Sequence, residues 1–190
     1  MALLTRIFPR GLGAWATVLA AVWLGFAGPA GALGQVRTVE EYQLKAAFLY
    51  NFAKFVEWPA PAGGSQGPLV IVVFGPDPFG PALENMLWGK TINNRPLKVR
   101  RTSRLEEVLP CHLLFVSARE RRRAPAVLKL AEEAGVLTVS EMEDFLELGG
   151  TVKFVPESGK VRFEVNLEAI RRGRLRISSR LLSLARVVKN

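Results

Sequence analysis

The pentapeptide GGSQG, Gly63 to Gly67, matches the G-x-S-x-G pattern that exposes a nucleophilic serine in many hydrolases. In those enzymes the serine lies on a sharp turn that follows a strand and precedes a helix. Here the motif lies in the proline- and glycine-rich stretch APAGGSQGP, and an apolar segment typical of a strand follows it. The order of elements is reversed, so an exported hydrolase that uses Ser65 is only an alternative hypothesis.

Cysteine and histidine each occur once, as the neighbours Cys111 and His112. They open the apolar stretch CHLLFVS, which is typical of a buried strand, and consecutive residues of a strand point to opposite faces. The two side chains therefore cannot form a thiolate-imidazole dyad, and no neighbour at metal-ligand spacing completes a metal site. We interpret His112 as a structural residue. Cys111 is either a buried thiol, which we favour, or one half of an intermolecular disulfide.

Neither these residues nor any other motif forms a catalytic set. The expectation is therefore a binding or regulatory protein that is not an enzyme and uses no cofactor or metal.

The first 32 residues have the organisation of a secretory signal peptide. Arg6 and Arg10 precede the uncharged apolar run GLGAWATVLAAVWLGFAG, and Ala30-Gly31-Ala32 supplies the small-x-small pattern of a cleavage site. Cleavage after Ala32 would leave residues 33–190 as a single periplasmic domain. An uncleaved anchor is the alternative, because the run is near the lower length limit for a membrane span.

The basic residues are concentrated near the C-terminus. The formal net charge of +9 falls to +7 when Arg6 and Arg10 leave with the signal peptide, and residues 160–190 alone contribute +7. Inside a cell this excess would suggest nucleic acid, whose binding rests on neutralised phosphates. Export makes a nucleic-acid partner unsuitable. An acidic partner, an anionic ligand, anionic lipid head groups or a simply solvated basic face remain.

Aromatic residues crowd into the stretch EYQLKAAFLYNFAKFVEWPA, residues 41–60. Apolar residues recur there at helical spacing, which predicts an amphipathic helix with Leu44, Phe48, Phe52 and Phe55 on its core face. Pro59 disfavours helical geometry at the preceding residue, so the helix should end at Trp58. Tyr50, Glu57 and Trp58, off this face or at its end, are left for recognition.

The rest of the sequence alternates between strand and helix patterns. The runs LVIVVFG, CHLLFVS and VLTVS are typical of strands buried on both faces, and EMEDFLELGG predicts a capped helix. TVKFVPESGKVRFEVN predicts a hairpin with its turn at Glu157 to Gly159, and the chain should end with a strand, RLRIS, and a helix, SRLLSLARVV, capped by Ser178 or Ser179. This order predicts an α/β fold: a three-layer sandwich with a mostly parallel central sheet and an antiparallel hairpin toward one edge.

Several segments resemble, in order and spacing, the YfiR family of small periplasmic proteins: LKAAFLYNFAKFVEWP, DPFGPALE, GKTINNRPLKVRR, CHLLFVS, VLTVSEMEDF and the stretch from Gly149 to Val187. The resemblance implies an α/β repressor that binds the periplasmic portion of an inner-membrane diguanylate cyclase and so controls cyclic-di-GMP and biofilm formation. Members also occur beside other sensors, so a different sensory partner or a small-molecule receptor module is the alternative. Relatives with paired cysteines can report redox state through disulfides, a mechanism that a lone Cys111 does not support. A monomer and a homodimer both remain open.

The resemblance is strongest in the first helix and near the C-terminus, which suggests that these two segments meet in the fold. Strand alternation in RLRIS directs Arg174, Arg176 and Ser178 to one polar face. With Glu57 and Trp58, Arg176 and Ser178 form a predicted site for a small anionic or aromatic ligand, bound by charge-assisted hydrogen bonds and stacking. The alternative is a Glu57-Arg176 ion pair that binds nothing.

The cleavage hypothesis predicts a periplasmic protein that begins near Leu33. The intact mass of protein recovered from the periplasm checks this, because removal of the first 32 residues gives a defined loss. A full-length species in the membrane fraction would instead identify the segment as an anchor.

Overall fold

A computed structural model describes residues 31–59, 67–157 and 159–189 of the chain. Most of the predicted signal peptide lies outside these residues, and so does Ser65. Residues 38–190 form one compact unit.

The helices are α1 (Gly31–Phe55), α2 (Pro81–Leu87), α3 (Ala124–Glu133), α4 (Leu167–Arg172) and α5 (Ser179–Leu182). The strands are β1 (Val56–Glu57), β2 (Leu69–Phe74), β3 (Thr91–Ile92), β4 (Arg95–Thr102), β5 (Leu113–Val116), β6 (Leu137–Ser140), β7 (Val152–Glu157), β8 (Lys160–Asn166), β9 (Arg176–Ile177) and β10 (Val187–Lys189).

The centre of the fold is an eight-stranded sheet in the order β10-β8-β7-β6-β5-β2-β4-β3. Its middle strands, from β7 to β4, run parallel to one another. The β7–β8 hairpin is antiparallel and lies toward one edge, where β10 adds a strand parallel to β8. This topology confirms the predicted α/β fold with a mostly parallel centre.

Helices cover both faces of the sheet, as the continuous apolar strands require. Within β2, Ile71 and Val73 face a core that includes residues of α1 and α2, whereas Val72 and Phe74 face a second core built with α3. Side chains of a strand alternate between faces, so one apolar run serves both cores. The result is the predicted three-layer sandwich.

The buried face of α1 differs in part from the prediction. Phe52 is fully buried as expected, but Leu44 is 45% exposed and Lys45 is only 5% exposed. The Lys45 ammonium lies 2.6 Å from a carboxylate oxygen of Glu41 and 2.5 Å from one of Glu141, so its charge is compensated where it is buried. The prediction for Leu44 was wrong: its helical spacing from Phe48 and Phe52 suggested the core face, but this position is exposed. The small residue Ala46 instead faces the core.

The segment EMEDFLELGG forms a series of turns rather than the predicted helix. It connects β6 to the neighbouring parallel strand β7, and Phe145 anchors it in the second core. The Phe145 ring packs so closely on Gly150 that a Cβ there would lie 2.3 Å from it. The close packing of Phe145 on Gly150 fixes this chain reversal, so tertiary contact outweighs the local helical pattern.

The last segment also departs from the prediction. The helix α5 ends at Leu182, and Val187–Lys189 continue as strand β10 rather than as helix. The backbone N–H of Arg186 donates to the carbonyl of Phe163 at 2.8 Å, which starts the pairing of β10 with β8. β-Branched residues beside an open sheet edge satisfy their backbone groups by strand pairing. The helical spacing in SRLLSLARVV contains no information on that edge.

Phe52→Ala is expected to lower the free energy of unfolding by about 3 to 5 kcal/mol, the usual cost of removing a buried phenyl ring. Leu44→Ala, on the exposed side of the same helix, should cost less than about 1 kcal/mol. Urea titrations of both variants measure the difference. Equal losses would contradict the packing of α1 described here.

Candidate functional site

The end of α1 and the segment near the C-terminus meet side by side, as predicted. After α1 ends at Phe55, β1 pairs antiparallel with β9, which places Glu57 opposite Arg176 and Val56 opposite Ile177. The N–H of Ser178 donates to the carbonyl of Phe55 at 3.0 Å and extends this contact. We call this two-stranded unit, residues 56–57 and 176–177 with the flanking Trp58 and Ser178, the β1–β9 junction.

Glu57 and Arg176 are both exposed on the junction. Although they are register partners, no ion pair joins them, and neither takes part in any ion pair or side-chain hydrogen bond within the described residues. The alternative of a Glu57-Arg176 ion pair is therefore not realised. The junction presents one free negative and one free positive charge.

Trp58 and Ser178 hold the junction in place. The indole N–H of Trp58 donates to the carbonyl oxygen of His112 at 2.7 Å, and its ring meets the His112 imidazole edge-on at 5.7 Å. The hydroxyl of Ser178 accepts from the N–H of Arg180 at 3.2 Å and so caps α5. Their polar groups thus have structural partners, and their roles in ligand binding stay predictions.

The predicted strand RLRIS is shorter than expected. Only Arg176 and Ile177 pair as a strand, because Arg174 adopts a left-handed φ of 57° in the turn that ends α4. Its guanidinium donates to the carbonyl of Glu133 at 3.2 Å. Arg174 therefore belongs to a helix-terminal turn and lies outside the strand that it was predicted to share with Arg176.

A cavity of about 680 Å³ adjoins the junction and has Trp58 in its wall. It lies at the amino ends of β2, β4 and β5, where Leu69, Arg95 and His112 contribute to its lining. Pro59 closes another side and packs against Gly135, which follows the C-cap residue Ala134 of α3 and has a φ of +66°. A Cβ at Gly135 would lie 2.8 Å from Pro59, so glycine permits this approach. We call this space the Trp58 cavity.

The side chains of Arg95 and His112 meet in the wall of the Trp58 cavity. Nε of Arg95 donates to the carbonyl of Gly67 at 2.6 Å, and Nη2 lies 3.0 Å from Nε2 of His112. The other ring nitrogen of His112, Nδ1, accepts from the backbone N–H of Val70 at 3.2 Å. Burial and the Arg95 charge lower the pKa of His112 below its ordinary value. His112 is therefore a neutral residue whose two ring nitrogens both lie at hydrogen-bond distance from neighbouring groups.

Cys111 has a different environment from His112. It is half-buried against the second core and forms no disulfide, and burial raises the pKa of its thiol to about 12. A thiol in this state supplies almost no thiolate, the species that attacks disulfides and binds metals. The described residues contain no group of three metal-binding side chains. Ser65, the residue of the hydrolase hypothesis, lies outside the described residues.

Sequence reasoning identified Trp58 but missed Arg95 as a neighbour of His112. The sequence signal is the pair Asn93-Asn94, because asparagine is common where a hairpin turn needs a left-handed backbone. In the structure the two residues adopt φ values of 51° and 62° in the turn of the β3–β4 hairpin. This turn places Arg95 at the start of β4. Parallel strands begin at the same edge of a sheet, so residues at the starts of β4 and β5 converge. The pattern could have predicted the pair once the strand order was known.

These features define an α/β domain with a charged junction beside a cavity. The chain belongs to the YfiR/HmsC-like family, whose model matches residues 42–186. Members of this family are in general periplasmic regulators of cyclic-di-GMP signalling. Among the described residues, no helix combines the length and apolar character needed to cross a membrane.

Two solved structures show a similar fold at low identity. One is a conserved domain protein from Vibrio cholerae, with a TM-score of 0.53 and 10% identity over 78% of this chain. The other is an ABC domain in complex with L-Trp from Streptococcus pneumoniae, with a TM-score of 0.51 and 9% identity over 78% of this chain. The chain spans 60% of the length of each of these structures. No curated protein sequence matches the chain.

The pKa of His112 predicts how stability depends on pH. Below pH 6.5, the ordinary pKa of histidine, His112 becomes protonated in the unfolded chain but stays neutral in the folded protein. The free energy of unfolding should therefore fall as the pH drops from about 6.5 toward the lower pKa of folded His112. The slope cannot exceed about 1.4 kcal/mol per pH unit, the limit for one proton.

The matched variant is His112→Asn, whose side-chain oxygen can still accept from the Val70 N–H. Glu57 and Cys111 also line the cavity and are unchanged in this variant. Urea titrations between pH 7.5 and 5 should show a shallower pH dependence for the variant. Parallel curves would show that His112 carries the same proton in both states.

Proposed function

We propose that this chain is a periplasmic repressor that binds the periplasmic portion of an inner-membrane diguanylate cyclase and so lowers cyclic-di-GMP. Membership of the YfiR/HmsC-like family supports the regulatory role and the compartment. The unpaired charges of Glu57 and Arg176 on the β1–β9 junction are the observation on which the proposal rests, and they identify these two residues as candidate contacts to the partner.

The junction suits a contact site because its charges are exposed while its backbone is held. Strand pairing, the Ser178 cap and the Trp58 hydrogen bond fix the unit from three sides. A partner with complementary charges would therefore meet Glu57 and Arg176 in a preorganised arrangement, which reduces the entropy cost of binding.

Trp88 is a second contact residue in this proposal. Its side chain is 88% exposed at the C-terminal end of α2, the largest exposure among the large apolar residues of the described chain. Tryptophan dominates the binding energy of many protein interfaces, whereas a single exposed indole contributes nothing to the stability of this domain. Its removal therefore separates partner binding from folding.

An alternative within the same framework is a receptor module for another sensory system, in which a small anionic or aromatic ligand sets the regulatory state. The Trp58 cavity beside the junction favours this second function. Ligand that binds only the folded form raises the melting temperature, which distinguishes a receptor from a repressor that acts by contact alone.

Loss of the gene should raise cellular cyclic-di-GMP, and the wild-type gene should restore the lower level. Complementation with Arg176→Ala or Trp88→Ala should restore it only in part and should recover less membrane partner after cross-linking. Both side chains are exposed, so the free energy of unfolding should change by less than about 0.5 kcal/mol.

Arg119→Ala is the matched control, because Arg119 is an exposed arginine away from the junction. It should repress as well as wild type. Unchanged cyclic-di-GMP after deletion, with no membrane protein captured, would refute the repressor function. Full repression by both variants would instead retain the function and remove these residues from the contact.

A further inference from the structure

Two hydrogen-bond donors face each other in the wall of the Trp58 cavity. A neutral imidazole has one acceptor nitrogen, but two donors approach it: the Val70 N–H at Nδ1 and Nη2 of Arg95 at Nε2. We assign the proton to Nε2, because the Val70 N–H is fixed by the backbone whereas the guanidinium can turn toward another acceptor. Nε2 lies 3.0 Å from Nη2 of Arg95, and a guanidinium has donors only. Neither group offers the other an acceptor, so this contact is completed only when an acceptor atom lies beside both.

The Arg95 guanidinium is held at this position without a counter-charge. It donates from Nε to Gly67 and from Nη2 to the carbonyl of Pro68 at 3.3 Å, both uncharged groups. None of the ion pairs within residues 31–59, 67–157 and 159–189 includes Arg95. Glu57 is the one carboxylate among the described cavity-lining residues, and it is exposed on the junction. The cavity therefore has a fixed positive charge with free donors.

The remaining walls of the cavity are mainly apolar. They include Trp58 and the small and aliphatic residues Ala53, Val56, Pro59, Leu69, Ile92 and Pro110, with Glu57, Asn93 and Cys111 among the other lining residues. The volume of about 680 Å³ lies within the usual range of small-molecule sites, roughly 300 to 1,000 Å³. Apolar walls with a few convergent polar groups are the common composition of such sites.

We propose that the Trp58 cavity binds a small organic acid, with its carboxylate on Arg95 and the Nε2–H of His112 and a flat apolar body along Trp58. A carboxylate supplies the two acceptor oxygens that the guanidinium fork and the imidazole N–H lack, in a planar geometry that suits arginine. This site shares Glu57 and Trp58 with the predicted set of Glu57, Trp58, Arg176 and Ser178, but the carboxylate-binding residues Arg95 and His112 were not in that set. The binding proposal is independent of the repressor function, because binding is measured on the isolated protein.

His112 is the only histidine of the chain, so its imidazole gives a single set of NMR signals. In the free protein at pH 7.5 the nitrogen shifts should identify the tautomer protonated at Nε2. Protonation at Nδ1 would supply Arg95 with an acceptor and overturn the argument.

The binding probe is 2-naphthoate, which combines a carboxylate with a flat apolar ring system. It should bind saturably at micromolar to millimolar concentration and shift the His112 signals. The neutral 2-naphthamide, of the same shape, should bind at least about tenfold more weakly, because a hydrogen bond to a charged group is worth that factor or more. Equal affinity for the two compounds, or no saturable binding of 2-naphthoate, would overturn the proposal.

His112→Asn and Arg95→Gln test the two donors separately. His112→Asn keeps an acceptor for Val70 but lacks the Nε2–H, and it should lose about tenfold in 2-naphthoate affinity at an unchanged melting temperature at pH 7.5. Arg95→Gln removes the charge and should lose more. Lys98→Gln is the control, since Lys98 is an exposed cation on the same strand outside the cavity, and it should bind within twofold of wild type. A loss in Lys98→Gln equal to the loss in Arg95→Gln would show non-specific charge attraction and overturn the site, and so would unchanged affinity in His112→Asn.

Discussion

The packing of α1 on the β7–β8 hairpin places both the junction and the cavity. The ring centroid of Phe52 lies 5.0 Å from that of Phe163, edge-on, and 5.8 Å from that of Phe154, in a stacked arrangement. Phe48 meets Phe163 edge-on at a centroid distance of 5.5 Å. These rings fix the position of α1 across the sheet. Its C-terminal end therefore reaches β9, where β1 pairs, and delivers Trp58 to the amino ends of the central strands. The concentration of aromatic residues in one short stretch thus has a packing role that sets the geometry of recognition.

The strands and the order of layers could be predicted because each depends on local pattern. β2, β5 and β6 are short apolar runs covered on both faces, and such runs have few alternatives in a chain of alternating strands and helices. The β7–β8 hairpin alternates around Gly159, whose φ of +74° fits the predicted turn. The meeting of β1 with β9 came from family resemblance, because pairing of two-residue strands so distant in sequence leaves no local pattern.

The failures arose where tertiary contacts outweighed local propensity. Val187 and Val188 extend the sheet because β8 leaves an edge open, and the turns around Phe145 persist because that ring fills the second core. Lys45 is buried in α1 because Glu141, in the loop after β6, lies beside it although the two residues are 96 positions apart. In the same way, the pairing of Arg95 with His112 depends on strand order. In each case the decisive partner is remote in sequence.

Trp58 links the two proposed recognition sites physically. Its indole forms a wall of the cavity and donates to the His112 carbonyl, while its backbone directly follows Glu57 of the junction. An acid bound to Arg95 and His112 would contact the same ring that holds β1 in place. A ligand that binds more tightly when the junction is in its partner-binding form must, by reciprocity, strengthen partner binding by the same factor. Cavity and junction would then act as one regulatory device, coupled through Trp58 and through the junction residues Val56 and Glu57, which also line the cavity, so Trp58→Ala would weaken the coupling without abolishing it.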